Sequence, residues 1–196
     1  PGPAGEAALR EALGDEEPLI RAAAAGSLEG LPPDQALKIL FPLLSDPARA
    51  VRLEAARLLA GVPADAWPPP KKAAFDKSLA ELRRVYEYQS DFPQGRYNLA
   101  NLYLDLGQAG PAEAQYLKAV EYDPQFFPAR MNLALLYNAT GRNDRAEGQY
   151  RAVLVDYPDN GEAAYSLGLL LAEAGRPAEA EPFLHQAADR LPAMPR

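Results

Sequence analysis

The 196-residue chain has no cysteine, one histidine, one tryptophan and two methionines. Without cysteine, these residues can form no disulfide, no thiolate nucleophile, no thiolate metal site and no covalent c-type haem attachment. The single histidine, His185, has no second histidine to complete a ligand set, so we predict no metal site. No apolar stretch approaches the roughly 18 residues that a membrane-spanning helix needs, so we predict no membrane insertion.

Basic residues are fewer than acidic ones, with 20 Lys and Arg against 27 Asp and Glu. The formal net charge is −7, and the acidic residues are spread along the chain rather than collected in a tail. Its densest group of basic residues comprises Lys71, Lys72, Lys77, Arg83 and Arg84. Asp76 and Glu81 interrupt this group, which indicates a mixed solvated surface rather than a phosphate-binding face. We therefore predict no nucleic-acid partner.

Motifs for catalysis and for phosphate binding are missing as well. The sequence contains no nucleophile elbow and no glycine-rich phosphate loop. Carboxylates are abundant, but a polar helical surface is expected to carry them, and no pattern indicates a buried pair. We predict that the chain has no enzymatic activity and needs no cofactor.

A repeat of 34 residues occupies the second half of the chain. Sliding the sequence against itself by this distance superposes residues of the same kind in three consecutive segments. The superposed sets are Leu99, Leu133 and Leu167; Ala100, Ala134 and Gly168; Gly107, Gly141 and Gly175; Ala112, Ala146 and Ala180; Tyr116, Tyr150 and Leu184; Ala119, Val153 and Ala187; Pro124, Pro158 and Pro192. A period of this length predicts stacked pairs of short helices.

Each residue type in the repeat has a physical role in such a pair. Small residues permit close approach of two helices, glycine ends the first helix, and proline stops the second. The pattern resembles the tetratricopeptide repeat, through Leu99-Ala100-x-x-Tyr103, Gly107, Ala112-x-x-x-Tyr116-x-x-Ala119 and Pro124 with their two copies. One departure is that Arg96, Arg130 and Ala164 stand where the family usually has a large aromatic residue. We expect looser or rearranged packing of the first helices there.

A shorter repeat occupies the front of the chain. Shifting residues 9–32 by 31 positions pairs Leu9 with Leu40, Leu13 with Leu44, Asp15 with Asp46, Ile20 with Val51, Arg21 with Arg52, Ala24 with Ala55, Leu28 with Leu59, Gly30 with Gly61 and Pro32 with Pro63. This pattern of a helix, an Asp-containing turn and an Ala-rich helix resembles HEAT repeats. The resemblance implies hydrogen bonds between neighbouring units, for which Asp15, Asp46, Arg21 and Arg52 are the candidates. The alternative is that these are solvated charges on ordinary helices.

Residues 62–72, VPADAWPPPKK, separate the two arrays. Three consecutive prolines favour an extended connector, and helical spacing of apolar residues predicts a bridging helix from about Lys71 to Gln89. Its apolar stripe is expected to cover the first tetratricopeptide-like unit. An alternative is that Trp67 and the proline run form a ligand for a peptide-binding module.

The predicted fold class is an all-α, right-handed solenoid. It consists of a HEAT-like pair in residues 1–63, a linker and bridging helix in 64–92, and three tetratricopeptide-like units in 93–126, 127–160 and 161–194.

The resemblance to tetratricopeptide repeats implies a concave groove lined by the first helix of each unit. Placed by helical position, the groove-facing residues are Tyr97, Asn98, Asn101, Leu104, Met131, Asn132, Leu135, Asn138, Tyr165, Ser166 and Leu169. Asparagine can pair with the backbone of an extended peptide, while tyrosine and methionine offer apolar contact. No basic residue is among them, which disfavours the carboxylate grip of well-known family members. The alternative is a solvated groove without a ligand.

These features predict a non-catalytic scaffold that binds a protein or peptide partner. An alternative is a structural subunit that assembles end to end, because Leu167, Leu170, Leu171, Phe183 and Leu184 lie in the last unit with no further amphipathic helix after them.

The order of repeats also resembles the C-terminal part of some bacterial multihaem c-type cytochromes, although no Cys-x-x-Cys-His motif is present. That resemblance implies a module docking onto a haem domain, in a periplasmic or extracellular setting; otherwise we expect a cytoplasmic location. The absence of an initiator methionine and of a signal segment suggests a processed chain or a piece of a longer one.

Overall fold

The computed structural model describes residues 3–190, and within that range all regular structure is helical. The α-helices are α1 (Pro3–Leu13), α2 (Pro18–Gly26), α3 (Pro33–Leu40), α4 (Arg49–Leu59), α5 (Pro69–Tyr88), α6 (Pro93–Asp105), α7 (Ala109–Tyr122), α8 (Phe127–Ala139), α9 (Asn143–Asp156), α10 (Gly161–Glu173) and α11 (Pro177–Arg190). Short 3-10 helices span Phe41–Ser45 and Ala64–Ala66. The predicted all-α fold class is confirmed. Pro192, the last member of its repeat set, lies outside the described residues.

The chain forms two compact units. The first contains the residues through Gln89 together with Asn101–Gln108, and the second contains Ser90–Ala100 and the residues from Ala109 onward. In the first unit, α2 packs against both α1 and α4, and α4 packs against α3 and α5. The buried core residues are Ala25, Leu28, Ala36, Leu40, Leu44, Ala55, Ala56, Leu59, Ala60, Val62, Trp67, Phe75, Leu82 and Leu102.

Arginines on the second helices connect successive helix pairs of the first unit. The Arg21 guanidinium donates through Nε and Nη2 to both carboxylate oxygens of Asp46, each at 2.8 Å. The two side chains are only 12% and 8% exposed. Arg52 donates from Nη1 to the Asp46 carbonyl of its own helix pair at 2.9 Å, and its Nη2 lies 3.4 Å from Glu81 Oε2 on α5. The predicted bond between neighbouring units is therefore confirmed for Arg21 and Asp46. Arg52 reaches Glu81 instead, and the Asp15 carboxylate accepts from the Glu17 amide of its own turn.

The proline run does not form the extended connector that was expected. Helix α5 begins at Pro69, two residues before the predicted start, because proline fits the first turn of a helix, where no backbone donor is required. Trp67 is buried, stacks on Phe75 with ring centroids 4.4 Å apart, and donates from Nε1 to the Val62 carbonyl. The interpretation of Trp67 as an exposed ligand for a peptide-binding module is wrong.

The bridging helix belongs to the core of the first unit. Phe75 and Leu82 of α5 are buried in the same cluster as Leu102, with Leu106 packed beside it. This agrees with an apolar stripe that covers the end of α6. The stripe also packs against α4, so α5 completes the N-terminal array rather than only connecting it to the next.

Small residues bring the two helices of each repeat together in the second unit. Ala100, Ala134 and Gly168 on the first helices and Ala112, Ala146 and Ala180 on the second helices are all buried. Gly168 leaves no room for a side chain, since a β-carbon there would lie 2.7 Å from Leu184 Cδ2. The sequence prediction that these positions mark the helix contacts is thus correct.

Glycine closes the first helices of the repeats with the same backbone geometry. Gly141 has φ +72°, and Gly107 and Gly175 have similar values. The Gly141 amide donates to the Asn138 carbonyl at 2.9 Å, and the Arg142 amide donates to the Tyr137 carbonyl at 2.8 Å. This is the pair of bonds of a Schellman motif, which uses a left-handed residue to satisfy the last helical carbonyls.

The arginines that depart from the repeat pattern make polar contacts inside their own repeats. Arg96 Nη1 donates to Gln115 Oε1 at 2.9 Å, and Arg130 Nη1 donates to Gln149 Oε1 at 3.1 Å. Both pairs have the same sequence separation, so the rearrangement is periodic. Ala164, the third member of the set, is fully buried instead. Helices α6 and α8 are therefore held by a hydrogen bond where an aromatic ring would have packed.

Candidate partner-binding surfaces

The groove-facing residues predicted from the sequence lie on α6, α8 and α10, the first helices of the three repeats. Asn101 and Leu104 fall in the first compact unit, and the other nine fall in the second. Three of these nine are large apolar side chains with much of their surface open to solvent. Leu135 is 52% exposed, Tyr165 is 45% exposed and Leu169 is 40% exposed. Leu135 and Leu169 occupy the same repeat position, so adjacent repeats present the same apolar group.

The asparagine at the centre of the predicted groove is used within the protein. Asn132 Nδ2 donates to the Tyr97 hydroxyl and to the Tyr116 hydroxyl, each at 3.2 Å. The Tyr97 ring also lies edge-on to Phe126, with centroids 5.7 Å apart. The Asn132 amide therefore connects α6, α7 and α8, and its contribution to stability must be separated from any contribution to binding.

The same repeat position carries Ser166 in the next unit, sixteen residues after the buried Tyr150. Burial raises the pKa of Tyr150. Asn98, the equivalent residue of the first repeat, accepts instead from Gln94 Nε2 at 2.9 Å. Sequence reasoning assigned Asn132 to a ligand and missed its tyrosine partners. The available signal was the repeat spacing, since Asn132 follows Tyr116 by 16 positions, as Ser166 follows Tyr150.

Ion pairs join consecutive repeats at matching positions. Arg142 Nη1 lies 2.8 Å from Glu113 Oε2, and Arg176 Nη1 lies 2.6 Å from Glu147 Oε2. The glutamates are only 20% and 18% exposed. The hydrogen bond from Arg176 is the main reason that the pKa of Glu147 lies below its usual range. The sequence analysis did not identify these pairs, although both have the same sequence separation of 29 residues.

A family model described as "Tetratricopeptide repeat" matches residues 97–150 and 131–195, which together cover just over half of the chain. The chain belongs to the tetratricopeptide repeat family. A second model, described as "HEAT repeats", matches residues 6–87, in agreement with the shorter N-terminal repeat. The tetratricopeptide fold is typical of scaffolds for protein interaction.

Several solved structures resemble this tetratricopeptide repeat protein. "MamA AMB-1 C2221" is 20% identical and superposes with a TM-score of 0.51 over 87% of this chain and 96% of its own. "MamA MSR-1 C2" is 22% identical, with a TM-score of 0.51 over 80% of this chain and 86% of its own. At these identities the likeness shows the fold alone. No curated protein matches the sequence at a significant level.

The last tetratricopeptide helix, α11, has an outer face that the described residues leave open. Ala172, Pro177, Ala180, Glu181, Leu184 and His185 line a shallow, mainly apolar cleft of about 380 Å³ there. The Glu181 and His185 side chains are 72% and 77% exposed and lie 3.7 Å apart. We call this surface, defined by its six lining residues, the α11 face.

The remaining predictions about chemistry concern metals and membranes. Across residues 3–190, no three His, Asp or Glu side chains are grouped so that they could hold a metal ion. His185 is solvent-exposed beside Glu181. None of the described helices is both long enough and apolar enough to cross a membrane. In the basic segment of α5, Lys72 pairs with Asp76 and Glu81 pairs with Arg49, as expected of a mixed solvated surface.

Proposed function

We propose that the protein is a non-catalytic scaffold that binds a protein or peptide partner along the first helices of its tetratricopeptide repeats. The observation that carries this proposal is the exposed apolar row of Leu135, Tyr165 and Leu169 at predicted groove positions. Exposed apolar side chains at equivalent positions of adjacent repeats give an extended partner a repeated contact. With no cation among the predicted groove residues, apolar side chains rather than a terminal carboxylate are the partner groups that this surface favours.

The test begins with selection of binding peptides from a random displayed library on the immobilised chain. Affinities of the selected peptides are then measured by fluorescence anisotropy for the chain and for the double variant Leu135→Glu with Leu169→Glu. We expect at least a tenfold loss, about 1.4 kcal/mol, because two buried apolar contacts would be replaced by desolvated charges.

The matched control places the same change on the second helices. Leu117 of α7 and Val155 of α9 are 45% and 77% exposed, so Leu117→Glu with Val155→Glu makes the same change of charge at two other exposed apolar residues. Circular dichroism would verify that both double variants are folded. Peptides that bind the groove variant and the control variant equally well would refute the groove as the binding surface.

Self-assembly is a second candidate, and the exposed α11 face supports it. If this face docks onto a different surface of an identical chain, the contact is heterologous. Repetition of such a contact need not close into a ring and can give an open fibre. Light scattering over a wide concentration range should then show growing mass, and Leu184→Glu should abolish that growth. A constant monomer mass would remove this candidate.

Docking onto a haem domain is a third candidate, supported by the order of the repeats and by their resemblance to cytochrome-associated repeats. The periplasmic or extracellular setting implied by that resemblance also stays a prediction. Binding of the chain to a multihaem cytochrome domain, followed by the absorbance of the haem, would test it directly.

A further inference from the structure

One asparagine of the chain is followed directly by glycine. Asn160 precedes Gly161, whereas every other asparagine precedes a residue that has a side chain. In an Asn-Gly sequence the backbone nitrogen of glycine can attack the side-chain carbonyl carbon of the asparagine, because no β-carbon crowds its approach. The sequence therefore contains the reacting groups for spontaneous deamidation, a chemical change that does not depend on partner binding.

The structure holds Asn160 in a conformation that cannot react. Its Oδ1 accepts from the Ala163 amide at 2.9 Å, which caps the N-terminus of α10. Its carbonyl accepts from the Ala164 amide at 3.1 Å, and its amide donates to the Tyr157 carbonyl at 3.0 Å. Asn160 has ψ 96°, an angle at which an L-residue directs its Cβ away from the following nitrogen. The Gly161 nitrogen therefore reaches Asn160 Cγ only after rotation about the Cα–C bond of Asn160.

The last helix, α11, fastens the connection that would have to move. This connection, residues 157–160, joins α9 to α10. Gln186 Nε2 of α11 donates to the Pro158 carbonyl, and Arg190 Nη2 lies 2.6 Å from Asp159 Oδ1. Because both contacts are made by side chains of one helix to residues just before Asn160, they resist the backbone rotation that the reaction needs.

We propose that Asn160 is a site of spontaneous deamidation whose rate is set by opening of the connection between α9 and α10. On opening, the Gly161 nitrogen bonds to Asn160 Cγ and the Cγ–Nδ2 bond breaks. The amide proton of Gly161 leaves with Nδ2 as ammonia, and a succinimide remains. Water then opens the succinimide at either of its carbonyl groups, which gives aspartate or isoaspartate at position 160. Water is the sole co-reactant, and no group is oxidised or reduced.

The two products affect the third tetratricopeptide repeat differently. Aspartate keeps an oxygen that can accept from the Ala163 amide, and its negative charge suits the N-terminus of a helix. Isoaspartate adds a methylene group to the main chain and displaces the carbonyl that accepts from the Ala164 amide. Ala163 and Ala164 are both fully buried, so the first turn of α10 has no room to adjust around the longer main chain. Asn160→Asp should therefore match the unchanged chain in thermal denaturation.

The rate of deamidation provides the main test. The full chain is incubated in mildly alkaline buffer, folded or unfolded in urea, and is digested at intervals for mass spectrometry of the fragment that contains residue 160. We expect the folded chain to react more slowly by roughly tenfold or more, because only molecules with an open connection react. In urea, Gly161→Ala should slow the reaction severalfold, since its β-carbon crowds the attacking nitrogen. Equal rates in the two states, or no reaction at residue 160 in urea, would overturn the proposal.

The role of α11 is tested in the folded chain. Gln186→Ala with Arg190→Ala removes both contacts to the connection and should speed deamidation severalfold. The matched control is Glu181→Ala with His185→Ala, two exposed residues of the same helix whose side chains lie 3.7 Å from one another, and it should leave the rate unchanged.

Circular dichroism would verify that both double variants are folded, and Gln186→Ala alone would replace the first of them if it were not. Equal rates in the contact variant and in its control would refute the part that α11 plays. Asn160→Ser keeps a capping oxygen but has no side-chain amide, so a mass change at residue 160 in this variant would also contradict the proposed reaction.

Discussion

Gly168 lies in the interior of α10, where glycine is normally a poor choice of residue. Replacing a mid-helix glycine by alanine usually stabilises a helix by about 0.5–1 kcal/mol, because alanine has less backbone freedom to lose on folding. At Gly168 an added β-carbon would lie 2.7 Å from Leu184 Cγ and Cδ2 and 3.3 Å from the Leu184 backbone nitrogen. The side chain of Leu184 can rotate away, but the backbone nitrogen of α11 cannot.

The expected free-energy change for Gly168→Ala is the sum of two opposed effects. Overpacking a close helix contact costs about 1–3 kcal/mol, and the gain in helix propensity recovers up to about 1 kcal/mol. We therefore expect a net loss of about 1 kcal/mol, which corresponds to a melting temperature lower by about 2–4 °C for a chain of this size.

Gly148→Ala is the matched control. Gly148 lies inside α9, and its added β-carbon would meet no atom within 4 Å, so this variant should gain about 0.5–1 kcal/mol. Circular dichroism would give the melting temperatures of both variants. Because repeat proteins can unfold locally, amide hydrogen exchange in α10 and α11 would show whether the loss is confined to that helix pair. Equal or greater stability of Gly168→Ala would refute the claim that α11 leaves no room for a β-carbon at this position.

Three further predictions concern other parts of the chain. The Arg21 hydrogen bond is the main reason that the pKa of Asp46 lies below its ordinary value. The stability that this carboxylate adds is therefore present above the ordinary carboxyl pKa and is lost as pH falls through the lowered one. The free-energy advantage of the unchanged chain over Asp46→Asn, followed by tryptophan fluorescence in urea, should shrink between about pH 7 and pH 3. A constant difference would contradict the role of the pair. Phe75→Ala should cost about 3–5 kcal/mol in urea denaturation because the ring is only 3% exposed, whereas Phe92→Ala, at 68% exposed, should change little. Asn132→Ala should cost about 1–2 kcal/mol through its lost tyrosine hydrogen bonds, and an unchanged denaturation midpoint would show that they add nothing.

The repeat pattern could be read from the sequence because it depends on local constraints. Gly107, Gly141 and Gly175 are needed at a left-handed backbone position, and no other residue takes that position at so little cost. The small residues at the helix contacts are required by close approach, which recurs at the same distance along the chain. Both constraints act within one helix pair, so periodicity alone was enough to locate them.

Contacts that depend on several elements could not be read in the same way. Asn132 was assigned to a ligand because its helical position faces the groove, but helical position does not reveal that two tyrosines converge on it. The proline run was interpreted as extended because proline ends helices, although the same residue also begins them, as Pro69 does. In both cases the residue type allowed two structures, and the surrounding packing selected one.

The matched ion pairs between repeats have a consequence for how this chain can change in length. Since Arg142 and Arg176 meet equivalent glutamates, removing one period of 34 residues between Glu113 and Arg176 would place Glu113 opposite an arginine once more. Duplicating a period would create one more junction of the same kind. Recombination in steps of whole repeats therefore preserves this glutamate–arginine pair at each junction, so that gaining or losing a unit in one event needs no compensating mutation for the pair.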